Sequence, residues 1–264
     1  MREPKYYSDF ILGDRRLSSF NGIRYNEGDE ITYQSIPTPK HITQEVSGMN
    51  GSFYFKSTYD SRLVTIPIFI YDEIDIDYFN GWIGDIDSGL RPLTFIYENG
   101  TQSDRYLEVI YNKGVDFTSY YTPKFKGTST LEFIAFDPLY KIKNEEKIIL
   151  NSPVINKSYN FKSNGNVKSL PILTILPNGT QSQVKFMFND LYITLNNVDT
   201  PIIINSEDGE VYTMNNGIRV NAFSKYTSDG WRHLPNIVPF QINKFMLLSG
   251  NLTSIEIDRN TRIL

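Results

Sequence analysis

The sequence holds no cysteine. A disulfide framework, a thiolate metal site and a cysteine nucleophile are therefore excluded. Histidine is scarce, with only His41 and His233 in 264 residues. The two are far apart in sequence and form no H-x-H or H-x-x-x-H spacing, so they do not spell a zinc site. No G-x-S-x-G elbow accompanies them, which removes the usual signature of a serine hydrolase. Phosphate-cradling loops are missing as well. "SGMNG" and "GDIDSG" lack the lysine and the strand-to-helix setting that such a loop needs. The longest apolar runs lie near "IPIFIY", far short of the roughly 20 residues of a membrane-spanning helix. The opening "MREPKYYSDFILGDRR" is charged where an export signal needs an apolar centre. The expectation is a soluble chain with no export signal, so "NGT" (99–101, 178–180) and "NLT" (251–253) read as composition rather than glycosylation sites.

A basic cluster is also lacking. The 26 Lys and Arg are scattered against 30 Asp and Glu, for a net charge of −4. Nothing here would release the counterions of a nucleic acid, so a general nucleic-acid binder is not expected. The acidic run Asp72, Glu73, Asp75, Asp77 invites a calcium reading. An EF-hand loop needs glycine at its sixth position and glutamate at its twelfth. Counted from Asp75, those positions are Asn80 and Ile86, and the match fails. No cofactor and no metal are expected.

What the chain does contain is β-forming sequence. Runs of Val, Ile, Tyr, Phe and Thr recur at short spacing between Asn-Gly, Asp-Gly and Pro turns. "SRLVTIPIFIY" (61–71) reads as a strand with Arg62, Val64, Ile66, Ile68 and Ile70 on one face. Pro67, on the other face, predicts an edge strand or a bulge. Strands are also expected over 92–98, 105–112 and "STLEFIAFDP". Asp208-Gly209 between "IIINSE" and "EVYTM" is a hairpin signal. One segment has helical spacing instead: Ile74, Tyr78, Trp82, Ile83, Ile86 and Leu90 form a stripe across 72–90. Asp72 or Asp75 can cap it, and Gly81 and Gly84 weaken it unless they serve close packing. A boundary is expected near 141–153, where "KIKNEEKIILNSP" turns from charged to strand-like. The short strand spacing beyond it predicts a sandwich.

Chemistry is harder to find. Paired carboxylates for glycoside hydrolysis meet only in the fold and cannot be read from spacing. In "KYTSDGWRHLP", Tyr226 and Trp231 are candidates for stacking on sugar rings. Aromatics in a sandwich more often fill its core, and that is the favoured reading.

The order of the pieces points further. A turn Gly48-Met49-Asn50-Gly51 lies in "QEVSGMNGSFYF", followed by the arginine-led strand "SRLVTIPIFI". A helix and the proline-led strand "LRPLTFIYE" come next, then "RYLEVIYNKG" and "TSTLEFIAFDPLYK" with its Asp137-Pro138 corner. The chain closes on "NIVPFQINKFMLLSGNLTSIEID". This succession resembles the distal tail proteins of long-tailed, siphovirus-like phages that infect Gram-positive bacteria. Met49-Asn50 stand where that family often has Arg-Asp, and "VPFQIN" stands where it usually has Pro-Gly-x-Asn.

The resemblance implies a mainly β chain. Residues 1–145 would form a ring-forming N-terminal β-sandwich domain with one helix. Residues 146–264 would form a C-terminal galectin-like β-sandwich (jelly-roll). Asp137 and Pro138 would make a stiff joint at the end of the first domain, because proline fixes its own φ and biases its predecessor to extended backbone. The implied function is structural, not enzymatic: a homo-hexameric ring hub in the virion's tail tip or baseplate. It would join the tail tube protein to the tip protein and dock receptor-binding or other baseplate proteins. Tape measure protein and DNA would pass through its lumen, and no membrane is involved. The alternative is a cell-wall carbohydrate-binding protein.

Overall fold

The computed structural model describes residues 7–26, 32–33, 37–45, 52–72, 74–85, 87–113, 127–229 and 233–264. The chain is mainly β and divides into two compact units, one of residues 1–143 with 264, the other of residues 144–263. Among the described residues no helix is long and apolar enough to cross a membrane.

In the first unit seven strands run in the order Arg15–Arg16, Tyr7–Leu12, Arg91–Tyr97, Arg105–Lys113, Gly127–Ala135, Arg62–Ile70 and Ile23–Tyr25. The long strand Arg105–Lys113 is shared. Its first half pairs with Arg91–Leu93, and its second half pairs with Glu132–Ile134 across a bulge. The sheet therefore curls around a single core. Arg62, Val64, Ile66, Ile68 and Ile70 all point into it, as their alternation predicts.

Pro67 is a correction. Its strand is central, paired along its whole length with Gly127–Ala135 on one side. On the other side, among the described residues, it pairs with two short strands, Ile23–Tyr25 and Thr32–Tyr33. The Pro67 carbonyl faces that side, where Asn26 N–H donates to it at 3.2 Å. The N–H that proline lacks would face the same side, at the gap between the two short strands. No bond of the Gly127–Ala135 ladder is lost.

The helix is shorter than expected, Ile76–Ile83. Asp75 is its N-cap and accepts from Tyr78 N–H at 2.9 Å. Its buried face is Phe79, Trp82 and Ile83, whereas Tyr78 and Leu90 are exposed. Trp82 stacks on Phe10 at 6.0 Å, and Phe10 meets Phe133 edge-on at 6.2 Å, so helix and sheet share one core. Gly81 does not serve close packing, since a Cβ there would meet nothing within 4 Å. Ile86 lies outside the described residues.

The second unit is a two-sheet sandwich. One sheet orders Ile148–Asn151, Leu252–Asp258, Ile172–Pro177, Ile202–Asn205, Glu210–Asn215 and Ile218–Asn221. The other orders Ser158–Lys162, Ile242–Ser249, Gln181–Phe188, Leu191–Val198 and Tyr226–Ser228. Alternate residues of both sheets, Ile175, Ile204 and Ile255 from one and Phe186, Leu195 and Phe245 from the other, close one apolar core. The hairpin at Asp208-Gly209 is present, with Asn205 opposite Glu210 and Gly209 at φ 72°.

Candidate assembly surfaces

Between the first unit's short strands and its central strand the chain leaves the sheet as a separate hairpin. Pro39–Glu45 pairs with Ser52–Tyr59 in a two-stranded sheet of its own, with a bulge between Ile42 and Thr43. The Gly48–Gly51 turn lies outside the described residues. At the base, Asp60 N–H donates to the Thr38 carbonyl at 2.9 Å, so the arm starts and ends at one point. Residues 38–44 and 56–60 are exposed. Tyr54 is exposed too, its hydroxyl 2.8 Å from Ser57 Oγ, which in turn meets His41 Nδ1 at 2.7 Å. An isolated two-stranded hairpin is marginal in water. This one exposes Ile42, Tyr54 and Tyr59, and among the described residues no third strand lies beside it. The outermost strands of the main sheet, Arg15–Arg16 and Ile23–Tyr25, are short edges.

The Asp137-Pro138 corner lies inside the first unit. After it the chain forms one more strand, Tyr140–Ile142, paired with Arg105 and Tyr106. Asp137 Oδ1 accepts from Leu139 N–H at 3.2 Å, and Pro138 is buried. The corner thereby brings Tyr140 over Arg62, whose guanidinium lies 4.7 Å from the ring centroid. Arg62 is fully buried, and its three side-chain nitrogens find no hydrogen-bond partner among the described residues. Sequence pattern placed Arg62 on the inward face, but nothing in it foretold an unpaired buried cation.

In the second unit Tyr226 is a core residue, only 1 % exposed. Its hydroxyl and that of Ser228 both donate to the His233 carbonyl. Burial pushes the Tyr226 phenol up to about 12, partly opposed by the hydrogen bond with Ser228. Its ring offers no face for a sugar. Trp231 lies outside the described residues. On the outer hairpin of the six-stranded sheet, Arg219 lies over the Tyr212 ring at 4.8 Å and pairs with Glu210 at 3.3 Å. That aromatic face is covered as well. Among the described residues no three His, Cys, Asp or Glu gather as a metal site would require.

Residues 19–89 match the family described as the phage tail protein RIFT-related domain. Over 96 % of this chain and 99 % of the other, the fold superposes on the SPP1 Dit protein, at a TM-score of 0.66 and 12 % identity. The chain has the distal tail fold. The SPP1 protein is described as a paradigm of the hub adsorption apparatus in phages infecting Gram-positive bacteria. A chain of the phage P2 baseplate, in its activated conformation with Ca, matches at a TM-score of 0.54 and 10 % identity, covering 98 % of this chain and all of that one. The same baseplate with Sr matches at 0.53 and 11 %, with coverage of 98 % and 100 %. Comparison with curated proteins by sequence finds no match. The matched tail domain spans the arm, the central strand and the helix, which are the pieces whose order resembles distal tail proteins in the sequence.

Proposed function

We propose that the chain is a structural hub of a phage tail tip, and that six copies close into a ring through the first unit. The observation that carries the reading is the arm: a hairpin with exposed apolar side chains that leaves a well-packed unit at a single point. A closed ring needs two different patches on each subunit. The arm is one, and the short sheet edges of a neighbour supply the other by strand addition or by covering the arm's face. The ring joins the tail tube protein to the tip protein, with tape measure protein and DNA passing through its lumen. Residues 1–145 act as the ring-forming domain and 146–264 as the outward module that docks receptor-binding or other baseplate proteins. Asp137 and Pro138 stiffen the turn into the first domain's last strand, Tyr140–Ile142, after which the chain passes to the second domain. The protein does its work in the virion as a scaffold and not as an enzyme.

The test is the mass of the purified protein across a concentration range, by light scattering after size exclusion, with negative-stain images of the largest species. Six-fold rings with a central hole are expected. The Thr38–Asp60 closure lets residues 40–58 be replaced by a short Gly-Ser link without stretching the chain. That variant should keep its fold and lose the rings. A monomer at every concentration, even with the neighbouring tail proteins added, would sink the reading.

A further inference from the structure

The five-stranded sheet of the second unit contains no Asp or Glu in any of its strands, although the chain as a whole carries a net charge of −4. It holds three lysines, Lys162, Lys185 and Lys244. Each alternates with inward residues such as Phe161, Val184, Phe186 and Phe245, so all three face outward. None of them forms an ion pair among the described residues. The opposite sheet has the reverse balance, with Glu210, Glu256 and Asp258 against Arg219. Counted over their strands, the two sheets of the sandwich carry opposite charge.

At one end of the cationic face sits an apolar pair. Ile242, directly opposite Lys162 in register, is 66 % exposed. Two residues earlier, Phe240 is 86 % exposed, more than any other large hydrophobic side chain described. Its φ is 59°, the left-handed region where a bulky residue is an outlier. Pro239 followed by such a residue is the pattern of a type II turn, whose third position asks for glycine or asparagine. The turn is firmly built. Asn243, 1 % exposed, accepts from Val238 N–H at 2.8 Å and donates to the Val238 carbonyl at 3.0 Å. Asn189 Nδ2 donates to Asn243 Oδ1 at 3.0 Å and to the Asn236 carbonyl at 2.8 Å. A rigid loop thus holds a phenylalanine out into solvent, in a conformation that glycine would adopt without strain.

From this we infer that the end of the five-stranded sheet, formed by Phe240, Ile242, Lys162 and Lys244, is a docking surface for an acidic protein of the tail tip that receives Phe240 in an apolar pocket. Charge complementarity selects the partner: unpaired lysines call for carboxylates, and the fixed ring calls for a preformed pocket. A bare polyanion would use the lysines and leave Phe240 idle. The inference rests on the hub reading and names the surface through which the outward module docks.

The experiment uses assembled full-length protein and each purified receptor-binding or other baseplate protein of the same phage, with polyphosphate as a second probe, in an interferometry binding assay. Three forms are compared: wild type, Phe240→Gly, and the double variant Lys162→Glu/Lys244→Glu. One acidic protein should bind the wild type and weaken as salt rises. Phe240→Gly should weaken that binding at least about tenfold while raising Tm, because the backbone strain is relieved. The charge reversal should weaken it comparably, with Tm unchanged. Binding that ignores Phe240→Gly overturns the inference. So does a lowered Tm for that variant, binding of polyphosphate in place of protein, or an effect confined to self-association. Negative-stain images of the same samples separate the two readings. Rings without Phe240-dependent docking remove only this surface, and absent rings remove the hub.

Discussion

Tyr226 shows how a residue's chemistry follows its surroundings. Burial favours the neutral phenol, so its pKa rises from 10.0 to about 12 on folding. The associated stability is present below pH 10 and is lost as pH climbs from 10 towards 12. A phenolate absorbance titration should show a late-titrating component that Tyr226→Phe removes. That variant should cost about 1 kcal/mol at neutral pH, the value of one hydrogen bond, because Ser228 still serves the His233 carbonyl. Arg62 makes the opposite case. A buried guanidinium that has the Tyr140 ring against it but no hydrogen-bond partner among the described residues gains little for its desolvation, so Arg62→Met should leave stability unchanged or raise it by about 1–4 kcal/mol in chemical denaturation. A loss of similar size would mean that the cation holds a bound water or anion. The inward alternation around Arg62 was legible because the period of a strand is two. That an aromatic such as Tyr226 fills the sandwich core is also the favoured reading of the sequence, but its packing partner was not legible, because its neighbours Lys225, Thr227 and Ser228 are polar and its place depends on the distant Leu195 beside it in the sheet.

The helix is the element where sequence and structure part most clearly. The expected 72–90 stripe holds at Trp82 and Ile83, which are core, and at Ile74, which packs against it, but Tyr78 and Leu90 are exposed and Phe79 is buried in their stead. Spacing of three and four alone cannot choose between two adjacent stripes on so short a helix; the sheet beneath it chooses. Its ends explain the shortness. Asp75 caps the start, and Arg91 reaches from the next strand to the last turn, donating to the Trp82 carbonyl and, at 2.5 Å, to the Ile83 carbonyl. Burial lowers the guanidinium's pKa from the ordinary arginine value, with the Asp85 carboxylate working against that. Arg91→Leu would leave two buried carbonyls without donors. It should destabilise by about 2 kcal/mol or more, and hydrogen exchange should show the helix's last turn opening first. Arg91→Lys should recover part of the loss, since one ammonium cannot span both carbonyls as a planar fork does. The exposed Gly81 has no such partner to answer for.

Across the whole molecule, the β grammar was readable nearly everywhere, because turns and alternation are local signals. The hairpin at Asp208-Gly209 and the strands near 62–70, 91–97 and 105–113 stand where the sequence puts them. What the sequence did not reveal depends on contacts across distant segments: the curl of the first sheet about Arg105–Lys113, and the arm as a sheet of its own. The unequal charge of the two sheets was hidden as well, although every residue of it was in plain view, because strands of one face are scattered from 158 to 249. That asymmetry has a practical consequence at the bench. A protein of pI 5.3 should pass through a cation-exchange column at neutral pH. This one should be retarded in low salt by one face alone, gripping the resin by Lys162, Lys185 and Lys244. Lys162→Glu/Lys244→Glu should run straight through.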